Sequence, residues 1–199
     1  MAWLEAVTLK GTHVVLEPLA PAQADELSAA AQDGELWKLW YTSIPTPDKM
    51  GAEIERRLGL FEKGTMLPFA VKSLSHNRMV GMTTYMNVDQ THKRVEIGST
   101  WYAKSVQRSP LNTECKLLLL RHAFEKMGCI AVEFRTSYFN QASRTAIARL
   151  GAKQDGILRS HQCHADGSLR DTVVFSIIAA EWPAVKMHLQ FQLSRPRAQ

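Results

Sequence analysis

Arg94-Val95-Glu96-Ile97-Gly98-Ser99-Thr100-Trp101-Tyr102 reads as a strand, and Gln107-Arg108-Ser109-Pro110-Leu111-Asn112-Thr113-Glu114 as a turn running into a helix. That helix passes through Lys116-Leu117-Leu118-Leu119-Leu120-Arg121-His122-Ala123-Phe124. Leu117, Leu120, Phe124 and Met127 form one stripe, with Lys116, Arg121, Glu125 and Lys126 mostly opposite, and Gly128 ends the helix. A second strand over 130–136 turns Ile130, Val132 and Phe134 toward a core and Ala131, Glu133 and Arg135 away from it. A second helix, from Asn140-Gln141-Ala142-Ser143-Arg144 to Leu150-Gly151, places Ala142, Ala146 and Leu150 on one side. A strand, a loop that opens a helix and a parallel strand together present backbone N–H groups to an anion.

Outward from this stretch, the elements are simpler. Toward the N-terminus, Val14-Val15-Leu16-Glu17-Pro18-Leu19 is β-prone, and Pro21-Ala22-Gln23-Ala24-Asp25-Glu26-Leu27 opens a helix with proline in its first turn. An aromatic cluster, Leu36-Trp37-Lys38-Leu39-Trp40-Tyr41, precedes a helix that starts at Thr46-Pro47 and carries Ile54, Leu58 and Phe61 at helical spacing. Strands over 67–71 and 79–86, joined at Ser75-His76-Asn77-Arg78, lead by a meander into the 94–102 strand. Beyond Gly151, strands over 156–164 and 170–178 join at Asp166-Gly167, and Glu181-Trp182-Pro183 starts a terminal helix. The order β-α-α, three strands, α-β-α and a hairpin predicts a mixed α+β fold with a mostly antiparallel sheet.

A chain of 199 residues, 45% hydrophobic and 22% charged, predicts one domain over 1–199, with a core at about 10–180 and a helix and tail at 181–199. No apolar run approaches the ~20 residues needed to span a bilayer. Met1-Ala2-Trp3-Leu4-Glu5 lacks the layout of a signal peptide, so a cytoplasmic location is expected. Cys115, Cys129 and Cys163 lack metal-type spacing, and the first two read as small buried hydrophobes. The net charge of +5 favours anionic partners, a nucleotide-bearing cofactor as much as RNA. The basic residues are scattered, apart from the tail Arg195-Pro196-Arg197, and no RNA-binding motif accompanies them.

The arrangement resembles the GNAT acetyltransferases, in particular the RimJ/RimL-like branch. The resemblance rests on Val95-Glu96-Ile97-Gly98, the loop and helix from Gln107, Asn140-x-x-Ser143-Arg144, Leu150-Gly151-Ala152 and Arg170-Asp171-Thr172-Val173-Val174-Phe175. It implies acetyl-coenzyme A as donor and a primary amine as acceptor; no metal is expected, since His161 and His164, three apart on a probable strand, point to opposite faces. It also implies that the strands from Arg94 and Ile130 splay apart, with the pantetheine arm filling the gap against Ser99, Thr100, Trp101 and Tyr102. The family's loop has small residues where this chain has Pro110 and Asn112. Pyrophosphate binding would then rely on Gln107, the amides of Arg108, Ser109, Leu111, Asn112 and Thr113, the helix N-terminus and the Arg108 side chain.

Acetyl transfer to an amine needs a neutral amine, donors for the oxyanion, a proton for the thiolate and substrates held in register. Glu96 is the candidate base, directly or through water; the alternative is a carboxylate on a solvated face, paired with Arg94 or Lys93. Asp89 and His92 are rival bases within a turn segment. Ser143 is the candidate proton donor to the thiolate and Tyr138 its substitute. Asn140 both caps its helix and, by the resemblance, would bind pantetheine, while Arg144 would approach the coenzyme phosphates. Trp37, Trp40, Tyr41 and His161 would line the acceptor pocket or, alternatively, form a small core under the helix pair. The acceptor is a peptide N-terminus or a small amine. A silent coenzyme- or peptide-binding domain and an RNA-binding accessory are the alternatives, and a homodimer through the terminal helix is a further expectation.

Overall fold

The computed structural model of the chain describes residues 3–164 and 166–195. Eight strands form one sheet in the order β1-β2-β3-β4-β5-β6-β8-β7. They are β1 (Leu9–Lys10), β2 (Val14–Pro18), β3 (Leu67–Ser73), β4 (Arg78–Asp89), β5 (Arg94–Tyr102), β6 (Ala131–Ser137), β7 (Lys153–Cys163) and β8 (Leu169–Ile178). The helices are α1 (Ala24–Gln32), α2 (Met50–Glu62), α3 (Leu111–Glu125), α4 (Gln141–Ala148) and α5 (Trp182–Ser194). Single 3₁₀ turns, Pro21–Gln23 and Pro47–Lys49, open α1 and α2 at the expected prolines. The residues of the basic tail beyond Arg195 lie outside the described residues, as do Met1 and Ala2.

Every neighbouring pair is antiparallel except β5 and β6. These two pair only at Arg94–Ala131, Val95–Val132 and Glu96–Glu133, at the start of both strands. Beyond Glu96, β5 stays on β4 and β6 stays on β8, so a cleft opens inside the sheet. Two helices flank one face: Arg57 of α2 is buried and donates to Thr84 Oγ1 on β4 at 2.8 Å. The other face meets α3, where the Tyr85 hydroxyl donates to the Leu119 carbonyl.

The chain departs from the sequence reading at three side chains. Lys116, expected on the outer side of α3, is 6% exposed. The helix is covered on more than one side: Trp182 of α5 stacks on Phe124, and Glu114 reaches the turn before β2, so residues 113–120 are all buried. Ile130, expected in the core, is 54% exposed because it precedes the first paired residue of β6. On α4 the inward residues are Ile147 and, just beyond the helix, Leu150; Ala142 is exposed, since the helix docks through its C-terminal half.

Candidate active site

The end of the β5–β6 pairing is where the candidate residues gather. On β4–β5 the register runs Met82–Trp101, then Thr84–Gly98, so Ser99 and Thr100 together oppose Thr83. This bulge puts Ser99 at φ 46 and leaves backbone groups out of the ladder at the mouth of the cleft. Thr100 Oγ1 is 2.8 Å from Thr83 Oγ1 and accepts from the buried Lys116 Nζ at 2.7 Å. Lys116 has no carboxylate at ion-pair distance among the described residues, and burial pulls its pKa down to about 8.

Glu96 is buried, at 5% exposure, beside the last β5–β6 pair. Its Oε2 accepts from Asn87 Nδ2 at 2.7 Å and lies 3.6 Å from Arg135 Nε. Its Oε1 lies along the strand over Gly98, where a Cβ would come within 2.9 Å of it and within 2.6 Å of Met86 Sδ. Glycine here leaves the carboxylate room to turn toward the cleft. Burial raises the Glu96 pKa, opposed by the Asn87 hydrogen bond and the Arg135 charge. The expected solvated partners are absent: Arg94 pairs instead with Glu133, which Arg135 also holds at 2.9 Å. Asp89 and His92 pair with each other in the exposed β4–β5 turn, 2.8 Å apart.

The loop before α3 solves the missing glycines locally. Gln107 Nε2 donates to the Tyr102 carbonyl at 2.9 Å, tying loop to strand. Arg108 adopts φ 61, the left-handed conformation that glycine takes without steric cost. Ser109 Oγ donates to the Val106 carbonyl and accepts from the Leu111 amide at 3.3 Å. Pro110 takes the N-cap position, where its missing N–H removes nothing from the helix, and the Glu114 amide makes the first bond back to its carbonyl. The amides of Asn112 and Thr113 precede that bond and belong to the free N-terminal set of the helix.

At the far end of β6, Asn140 caps α4 by accepting the Ser143 amide at 3.0 Å. Ser143 is half-buried in that first turn. Arg144 lies 4.8 Å over the Tyr138 ring and donates to the Tyr138 carbonyl, so this guanidinium is engaged with the turn. Tyr138 packs edge-on against Phe139, and Trp40, 61% exposed, touches Phe139, Tyr41 and His164. The loop after α1, the β6–α4 turn and the β7–β8 hairpin thereby share one aromatic wall. His161 bonds to Thr172 Oγ1 through Nδ1 at 3.1 Å, and Trp37 is half-buried in the turn Leu36–Lys38. Trp40 and Tyr41 thus belong to an open wall with Phe139 and His164.

Sequence reasoning missed Asn87, Arg135 and Arg170. Arg135 and Arg170 are remote in sequence from Glu96 and only sheet register brings them near, whereas Asn87 lies nine residues away across the β4–β5 hairpin. Among the described residues no group of three or more His, Cys, Asp or Glu side chains could hold a metal ion.

Residues 13–153 match the family model described as an acetyltransferase (GNAT) domain. No curated protein matches the chain. Among solved structures, an acetyltransferase-like protein from T. thermophilus is 34% identical, with TM-score 0.83 over 96% of this chain and 99% of that one. A GCN5-related N-acetyltransferase from Brucella melitensis is 29% identical, with TM-score 0.85 over 96% of this chain and 87% of that one. Mycobacterium smegmatis RimJ, solved in complex with CoA-disulfide, is 22% identical, with TM-score 0.78 over 94% and 93%; at that identity the likeness is one of fold.

Proposed function

The chain belongs to the GNAT acetyltransferase family and is an acyltransferase; from that premise we propose that it transfers the acetyl group of acetyl-coenzyme A directly to a primary amine in a ternary complex. The observation that carries this is the opening between β5 and β6 immediately past Glu96. Each strand there keeps one unpaired edge, and a pantetheine arm with its own amide groups fits such an edge as an added strand does. The coenzyme supplies an activated acyl carbon and a thiolate leaving group. The Arg108 turn and the free amides of α3 suit its diphosphate.

Glu96 then removes the amine proton through Oε1, directly or by a water, while Asn87 and Arg135 fix Oε2. Its raised pKa makes it a better base near neutrality than an exposed glutamate. Backbone N–H groups at the Ser99–Thr100 bulge suit the acetyl oxygen. Ser143, or Tyr138, returns a proton to the sulfur. Trp37, Trp40, Tyr41 and His161 border the acceptor. The order of sequence motifs favours a RimJ/RimL-like acceptor mode, an N-terminal amine of a peptide or a small amine.

Thiol release from acetyl-coenzyme A with a panel of amines and short peptides tests the reading. The expected result is release that depends on the acceptor and falls about 100-fold or more in Glu96→Gln, with coenzyme binding retained. Tight coenzyme binding with no release on any acceptor would instead mark a silent binding domain.

A further inference from the structure

The face of the sheet that carries Glu96 holds an unmatched cation. Along β5, β6 and β8 this face presents three guanidinium groups, Arg94, Arg135 and Arg170, against two carboxylates, Glu96 and Glu133. Arg94 and Arg135 are accounted for, both paired with Glu133 and the second also beside Glu96. Arg170 is not. Its Nη1 donates to Gln162 Oε1 at 2.8 Å, and no carboxylate lies at ion-pair distance among the described residues. Its Nε is buried without a hydrogen-bond partner, a costly state for a charged donor unless something else completes it.

Position explains what that partner faces. Register pairs Thr172 with Ser137 and Val174 with Arg135, so Arg170 continues the same row beyond the end of β6. There the β5–β6 pairing has long ended, and the β7–β8 hairpin carries Gln162 and His161 beside Arg170 and Thr172. Burial lowers the Arg170 pKa while the Glu96 charge raises it, so guanidinium and carboxylate feel each other across the cleft. A molecule between them meets a hydrogen-bond acceptor at one end and, at the other, a half-buried guanidinium whose Nε is unpartnered.

We propose that the acceptor is an amine bearing a nearby carboxylate, its nitrogen presented to Glu96 and its carboxylate held by Arg170. The inference rests on the acetyltransferase reading and names its substrate class. A guanidinium binds a carboxylate through parallel N–H···O bonds, and Nε is one of the two donors such a fork uses. A free amino acid presents this chemistry, and so does a peptide whose first residue is aspartate or glutamate.

The test measures kcat/KM for thiol release with six acceptors: aspartate, aspartate diamide, β-alanine, ethylamine, and two peptides alike except for Asp or Asn in first place. Carboxylate-bearing acceptors are expected to exceed their neutral counterparts on the order of 10- to 100-fold, mostly through KM. In Arg170→Gln that ratio collapses toward one, and in Arg170→Lys it is partly restored. Preference for free amino acids over the Asp peptide names a small-molecule acceptor, and the reverse names a peptide; either supports the carboxylate. Equal rates with and without the carboxylate in the wild type overturn the inference and leave acetyl transfer standing. A ratio unchanged in Arg170→Gln, with the variant's melting temperature like the wild type's, also overturns it. No release with any acceptor overturns the parent reading and this one together.

Discussion

Glu96 has two oxygens in different circumstances, and that asymmetry is what suits it to proton transfer. Oε2 is fixed by Asn87 and Arg135, whereas Oε1 lies over Gly98, a position beyond the last β5–β6 pair. Because burial raises its pKa, the active anionic form is lost at a higher pH than for an exposed glutamate. We expect kcat/KM to fall as pH drops through that raised value, and Glu96→Gln to show a low rate without this limb; a pH–rate profile checks both. Gly98→Ala should act on the same oxygen by crowding it and Met86, so a fall in kcat without a change in coenzyme affinity is the expected result. Lys116 sets up the opposite titration. Its folded pKa of about 8 lies below the ordinary lysine value, so the unfolded chain binds the extra proton between about pH 8 and 10.5. Stability from this residue is therefore greatest above pH 10.5 and is lost as pH falls toward 8. Lys116→Met removes that loss while Thr83 and Thr100 keep each other as partners. It should be more stable than the wild type at pH 7, by about 1–3 kcal/mol, and the gap should narrow by pH 10 in urea titrations.

Among the elements, α3 is tied to the N-terminal strands by one carboxylate. Glu114, in its first turn, accepts the backbone amides of Thr12, His13 and Val14 at 2.8, 2.6 and 2.9 Å. Glu114→Ala leaves three amides without an acceptor, and a loss of about 2–4 kcal/mol is expected, read as a lower urea midpoint at unchanged slope. This clamp was not legible in the sequence, because it joins residues some hundred positions apart; the elements themselves were. The 94–102 strand, the turn into α3, the Asn140 cap and the prolines opening α1 and α2 all follow from local signals, and the structure has each of them. Lys116 and Ile130 were misread for a shared reason: helical and strand periodicity describe one covered face, and burial at both residues depends on what else packs there. The glycine-poor loop is the intermediate case. Losing the small residues at 110 and 112 predicts a loop with fewer amides for a diphosphate; the structure places Pro110 at the N-cap and the left-handed turn at Arg108. At the candidate site, Glu96 and Asn140 could be picked out from motif order, whereas Asn87, Arg135 and Arg170 needed the register.

At the scale of the whole molecule, the sheet is two halves joined by three residue pairs. Strands β1 to β5 form one half and β6, β8 and β7 the other, and between them only Arg94, Val95 and Glu96 are paired across β5 and β6. A ligand lying in the cleft would supply the missing ladder and couple the halves. It should therefore stabilise the fold by mass action: at 100 times its Kd, acetyl-coenzyme A would contribute about 2.7 kcal/mol. For a domain of this size that corresponds to a rise of roughly 5–10 °C in Tm. Where the protection falls matters more than its size. Hydrogen exchange should slow at 97–102 and 134–137, the two edges facing the cleft, as well as at the amides of 108–113. Protection confined to 108–113 would mean that only the nucleotide end is gripped, with the acyl arm outside the sheet and out of reach of Glu96. Protection at all three segments, lost at 97–102 when the coenzyme's nucleotide half without the pantetheine arm replaces the full ligand, would tie the coupling of the halves to the arm itself.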